Sequence, residues 1–134
     1  MILGCNGRIG KSLTIELFKQ NHELILVDKV ISKELQNELK KNNKQNFSLE
    51  KIDLNTEKNI QILLRKVKKK TKTLDAVVNC IYPADKHWGK YDLKDINKKV
   101  LDRHFSNHLS NLIIITKHLT NFFIKQKKGN LIFL

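Results

Sequence analysis

Apolar positions along the chain switch repeatedly between short unbroken runs and helix-like spacing, which predicts buried strands separated by helices. The runs are Met1 to Leu3, Leu24 to Asp28, Phe47 to Ile52 with rough alternation, Leu74 to Cys80, and Leu131 to Leu134. Between the first two, Ile9 to Asn21 places Leu13, Leu17 and Phe18 on one helical face. Ser32 to Lys41 reads as a polar, exposed helix, and Asn55 or Thr56 caps a helix that carries Ile60, Leu63, Leu64 and Val67. A loop rich in turn formers and charges spans Tyr82 to Tyr91, and a short helix starts near Asp92. A long helix from about Val100 to Gln126 then leads through Gly129 into the last run.

Strands alternating with helices imply an α/β fold with a parallel sheet. Right-handed crossovers and one reversal of direction give a Rossmann-like, doubly wound sheet of strand order 3-2-1-4-5. The ligand crevice of such a sheet lies at the carboxyl ends of strands one and four. Gly4 to Gly10, Asp28, Asp53 and Asn79 all fall at strand ends on that edge. No repeat or linker divides residues 1–134, so the chain reads as one domain that stops inside its fifth strand.

The first turn carries the strongest chemical signal. Gly4 suits a tight turn out of the strand, Gly7 lets backbone approach a pyrophosphate, and Gly10 permits close helix–strand packing, while the new helix aims N–H groups at phosphate. Asp28 ends the second strand eighteen residues after Gly10, where a carboxylate accepts both ribose hydroxyls of an adenosine and repels a 2′-phosphate. Arg8 and Lys29 pull the other way, toward a 2′-phosphate. Asp28 decides, because its charge sits directly on the ribose while the cations swing to solvent; NAD is favoured over NADP.

Composition narrows the remaining classes. At 134 residues and 40% hydrophobic the chain holds one core of ordinary size. The formal charge of +13 suggests nucleic acid, but lysines occur on nearly every predicted helix. The densest run, Lys66 to Lys72, ends a helix, where cations meet the negative end of the macrodipole; a solvated terminus is the reading, with no nucleic-acid partner. Cys5 and Cys80 suggest neither a disulfide framework nor a metal site, and read as reduced thiols in the cytoplasm. No charged-then-apolar leader is present, and Lys117, His118 and Asn121 interrupt the most apolar stretch, so neither a signal peptide nor a membrane span is expected.

A rival motif overlaps the glycines. Gly4 through Gly10-Lys11-Ser12 comes within one residue of a phosphate-binding P-loop, with Leu24 to Asp28 posing as the magnesium-binding strand. Five residues instead of four separate Gly4 from Gly10, and that slip changes the cradle of N–H groups.

With the glycine turn, the end of strand four and the long helix in hand, the chain resembles the short-chain dehydrogenase/reductase family from end to end, in its branch with Gly-x-x-Gly-x-x-Gly. The resemblance implies that Gly4, Asn6, Gly7, Arg8, Ile9 and Gly10 surround the pyrophosphate and that Asp28 meets the ribose. Ile52-Asp53-Leu54 is similar to the pair at the end of strand three that meets adenine. In that family strand four ends in Asn-Asn-Ala-Gly; here Asn79 keeps the first Asn, and Cys80, Ile81 and Tyr82 replace the rest beside the cofactor. Tyr82-Pro83 with Trp88-Gly89-Lys90 resembles a bacterial branch acting in surface-glycan or flagellin modification. Counting back eight from Thr116 places His108 at the Asn of the family's catalytic tetrad, with Asn107 or Asn111 as the alternatives one register away.

The family's catalytic Ser and Tyr-x-x-x-Lys have no counterpart before Leu134. Tyr82 and Lys86 match the bare spacing, but in a loop after strand four. The resemblance therefore implies the cofactor-binding half of a reductase that passes a hydride between a nicotinamide and a small carbonyl or alcohol substrate, sugar derivatives included. It also implies a homo-oligomer in the intact protein, with Leu109, Leu112, Ile113, Ile115 and Phe122 supplying either apolar interface or cover for the sheet. The alternative with the same fold is a non-catalytic dinucleotide-sensing or dimerisation module.

Overall fold

A computed structural model of the chain describes residues 1–41, 46–82 and 92–134. The segment holding Pro83, Lys86, Trp88, Gly89, Lys90 and Tyr91 lies outside the described residues. Strands β1 (Ile2–Leu3), β2 (Leu24–Asp28), β3 (Phe47–Lys51), β4 (Ala76–Asn79) and β5 (Asn130–Phe133) form one parallel sheet in the order β3-β2-β1-β4-β5, as expected.

Two cores follow from the period of two along each strand. Ile2, Leu24 and Leu26 face α1 (Arg8–Lys19) and α2 (Lys33–Lys40), where Phe18 and Leu35 meet them. Leu3, Ile25 and Val27 face the opposite layer, α3 (Glu57–Lys70) and α5 (Asn111–Gln126), meeting Leu63, Val67 and Leu119. A sheet covered on both sides explains why the strands read as unbroken apolar runs.

Three sequence expectations change. The helix α2 is not an exposed one: Leu35 and Leu39 are completely buried, and the other six positions are polar, so two leucines four apart carry its whole inner face. The lysine run at the end of α3 is not wholly solvated either. Lys66 Nζ and Lys70 Nζ lie 2.8 and 2.6 Å from the carboxylate of Glu50, a buried β3 residue. The long helix runs without a break but is not uniformly α-helical: α4 (Lys98–Phe105) passes through one π-helical turn, Ser106–Ser110, into α5. The short helix near Asp92 is a single 3-10 turn, Leu93–Asp95.

Burial pushes the Glu50 carboxyl upward, and hydrogen bonds and charge from the two lysines outweigh it, so the group titrates below the ordinary glutamate range. A depressed folded-state pKa supplies stability above the unfolded value and loses it as pH falls through the folded one. Glu50→Gln should therefore cost about 1–2 kcal/mol at neutral pH, reduced from the fully buried case because the lysines are half-exposed, and should flatten the loss of stability below about pH 4.5. Urea unfolding at pH 7 and pH 3.5 reads both effects; parallel pH profiles for the two proteins would refute the assignment.

At the end of α5, Lys127 adopts φ 62° and Gly129 φ 139°. A Cβ on Gly129 would lie 2.1 Å from the Phe123 ring, so the chain turns over that ring to enter β5. Ile115, Leu119, Phe122 and Phe123 of α5 are buried against the sheet, whereas Leu109 and Ile113 are 48% and 58% exposed. The apolar residues of the long helix thus divide between two faces. Among the described residues no helix is long and apolar enough to cross a membrane.

Candidate functional site

The carboxyl ends of β1 to β4 open into a crevice of about 890 Å³, within the usual size of a small-molecule site. Gly4, Asn6, Gly7, Arg8 and Ile9 of the β1–α1 turn line it. The three glycines of this turn serve three different needs. Gly4 has φ +77°, and a Cβ there would lie 2.8 Å from the Cys80 carbonyl oxygen, so neither the turn nor the approach to β4 admits a side chain. Gly10 does not line the crevice; a Cβ on it would lie 2.1 Å from the Gly4 oxygen, which is the close helix–turn packing expected of it. At Gly7 the backbone is extended, φ −70° and ψ 167°, and the nearest atom to a built Cβ is the Gly4 oxygen at 3.4 Å. The protein leaves that space open toward the crevice.

The start of α1 differs from those of α2, α3 and α4. Ser32, Thr56 and Asn97 each cap α2, α3 and α4 with a side-chain oxygen, but α1 follows Gly7 with no side-chain cap and no acid in its first turn. Its positive dipole end therefore faces the crevice uncompensated, the arrangement that accepts an anion.

Asp28 lines the same crevice from the end of β2. Its Oδ2 accepts the Asn6 N–H at 2.9 Å and its Oδ1 the Val30 N–H at 3.3 Å, while Asn6 Oδ1 accepts the Ser32 N–H at 2.9 Å. The carboxylate thus ties the glycine turn to β2 as well as facing outward, a role that sequence did not reveal. A carboxylate offers about four acceptor sites, which leaves roughly two for ligand hydroxyls. Arg8 and Lys29 also line the crevice, so both signs of charge meet around Asp28.

Beyond β3, Asp53, Leu54 and Asn55 form one wall. Asp53 Oδ1 accepts the Asn55 N–H at 3.1 Å, and Asn111 Nδ2 donates to Asn55 Oδ1 at 3.2 Å, joining that wall to α5. Beyond β4, Cys80, Ile81 and Tyr82 form the other. Asn79 is buried and lines nothing; its Oδ1 accepts the Ile81 N–H at 3.1 Å and shapes the turn that presents the next three residues. From the long helix, Asn107, Asn111 and Ile115 reach the crevice, and their spacing of four was the available signal. His108 does not line it. The π-helical turn shifts the register of that stretch, and the His108 ring packs on Tyr82, centroids 4.9 Å apart.

Both cysteines are held toward the protonated thiol. Burial, then the nearby Asp28 charge, pushes Cys5 up to about 12, and burial raises Cys80. The P-loop residues are engaged elsewhere: Lys11 Nζ pairs with Glu34 on α2 at 2.6 Å, Ser12 Oγ donates to the Arg8 carbonyl at 3.1 Å, and neither lines the crevice.

Known proteins resemble this chain in sequence and in fold. The curated post-translational flagellin modification protein A of Campylobacter coli is 29% identical over 137 residues, spanning 98% of this chain and 52% of that protein. Among solved structures, ElxO with NADP bound superposes with a TM-score of 0.78 at 20% identity, covering 98% of this chain and 52% of that one. A short-chain dehydrogenase from Leptospira borgpetersenii with bound NAD+ gives 0.75 at 15% identity, over 98% of this chain and 48% of the other. The chain therefore spans about half the length of these relatives. The short chain dehydrogenase family matches over residues 1–134, and the chain belongs to that family.

Proposed function

We propose that this chain is the cofactor-binding half of an NAD-dependent cytoplasmic oxidoreductase that passes a hydride between the nicotinamide and a carbonyl or alcohol of a small molecule. One observation carries the reading: an uncapped helix start and the Asp28 carboxylate face a single crevice, an anion site and a hydroxyl acceptor side by side. In this reading Gly4, Asn6, Gly7, Arg8 and Ile9 hold the pyrophosphate, with Gly10 fixing the helix behind them. Asp28 accepts the ribose hydroxyls and disfavours a 2′-phosphate. Asp53 and Leu54 border the adenine, and Cys80 and Ile81 flank the far half on the turn that Asn79 holds. When bound, the nicotinamide supplies the hydride chemistry, and the protein supplies position and electrostatics.

The similarity to a flagellin modification protein supports a substrate used in modifying a protein such as flagellin, and the sugar derivative implied by the family resemblance is proposed with it. The exposed stripe Leu101, Phe105, Leu109 and Ile113, 44% to 62% exposed on the outer side of the long helix, supports a homo-oligomer of the intact protein. Titration calorimetry with NAD+, NADP+ and magnesium–ATP tests the reading. NAD+ is expected to bind best and magnesium–ATP not at all. At a hundredfold excess over its Kd, NAD+ should stabilise the fold by about 2.7 kcal/mol. Binding of magnesium–ATP in preference to NAD+ would overturn it.

A further inference from the structure

Two residues far apart in sequence are brought into contact by the fold. Tyr82 stands where the strand-four motif of the resemblance ends in Gly, and His108 lies in the π-helical turn, whose Asn107 reaches the crevice while His108 does not. Their rings meet edge-to-face, 4.9 Å between centroids and 63° between planes, and His104 lies next along the helix at 6.3 Å from His108. Tyr82 is 54% exposed and lines the crevice, whereas His108 does not line it. The π-helical turn sets an imidazole against the Tyr82 ring, and such ring pairs hold one another in preferred geometry.

Sheet order says which part of a ligand this ring meets. β2 and β3 lie on one side of the β1 turn and β4 on the other. With the pyrophosphate at the β1 turn and the adenosine ribose on Asp28, the rest of a dinucleotide runs toward β4, where Cys80, Ile81 and Tyr82 stand. The oxidised nicotinamide is a cation, and the face of a tyrosine ring attracts one.

Resting on the cofactor reading above, we infer that Tyr82, braced by His108, is an aromatic platform for the nicotinamide half of the dinucleotide and favours its oxidised, cationic form. Tyr82 is the contacting residue and His108 the positioning one. Calorimetry on the 134-residue chain with NAD+, NADH and ADP-ribose, which lacks the nicotinamide, tests this. Tyr82→Ala should weaken NAD+ by about 5-fold to 10-fold, weaken NADH less and leave ADP-ribose unchanged; Tyr82→Phe should keep wild-type affinity, because the ring and not the hydroxyl carries the contact. His108→Ala should weaken NAD+ by about 3-fold and His108→Phe restore it. Unchanged NAD+ affinity in Tyr82→Ala, or equal losses for NAD+ and ADP-ribose, overturns the platform while the cofactor reading stands. Failure of the unmutated chain to bind ADP-ribose or NAD+ overturns the cofactor reading itself and the platform with it.

Discussion

Gly10→Ala should lower the stability of this domain by about 3 kcal/mol, read as an early urea midpoint with an unchanged slope. The usual sign of such a change is the reverse, since alanine inside a helix is favoured over glycine by about 1 kcal/mol. Here the clash wins. The new methyl would lie 2.1 Å from the Gly4 oxygen and 2.9 Å from its carbonyl carbon. That carbonyl is held in place, because Gly4 sits at φ +77°, its N–H is bound by the Val27 oxygen at 2.8 Å, and the carbonyl oxygen itself accepts the Gly7 N–H at 3.1 Å. Gly7→Val is the matched control. An extended backbone with its nearest neighbour at 3.4 Å accepts the side chain, so the urea midpoint should stay within about 0.5 kcal/mol of wild type while stabilisation by NAD+ disappears. A wild-type midpoint for Gly10→Ala would show that α1 does not rest on the turn, and undiminished NAD+ binding by Gly7→Val would remove the pyrophosphate from that turn.

Asp28→Ala should reduce NAD+ affinity by tenfold or more and shift preference toward NADP+, by roughly 1.4 kcal/mol or more of lost contact. It should also destabilise the ligand-free fold by about 1–2 kcal/mol, because the Asn6 and Val30 N–H groups lose a charged acceptor. Asp28→Asn separates the two effects. Its remaining oxygen still accepts the Asn6 N–H and only the longer Val30 bond is lost, so it costs less stability than alanine, but the lost charge no longer opposes a 2′-phosphate beside Arg8 and Lys29. Paired calorimetry and urea unfolding on both variants read this out. Unaltered NAD+ to NADP+ preference in both would withdraw the ribose from Asp28.

These two experiments bear on residues found at different levels. The glycine turn and Asp28 stood out in sequence because strand, turn, helix and second strand are consecutive, and each step is a local rule of period or turn chemistry. The different duties of Gly7 and Gly10 were legible there too; what was not is that Gly10 packs on the Gly4 oxygen, because that partner is set by a distance across a packed junction. The same holds for Asn79: its place at a strand end was plain, but its side chain turns inward to the Ile81 N–H.

Sequence alone determined the sheet order, the edge on which the crevice opens and the acid beside it, because alternation of apolar runs and right-handed crossovers leave few other arrangements. Tertiary structure decided everything that depends on which atoms share space. It buried α2 by two leucines, drew Lys66 and Lys70 out of a solvated run onto Glu50, and spent Lys11 on Glu34. It also inserted a wide turn at Ser106–Ser110 that presents Asn107 to the crevice and His108 to Tyr82. A linear pattern encodes the face a residue presents, whereas its partner is set by the packing of elements distant in the chain, which no local spacing specifies.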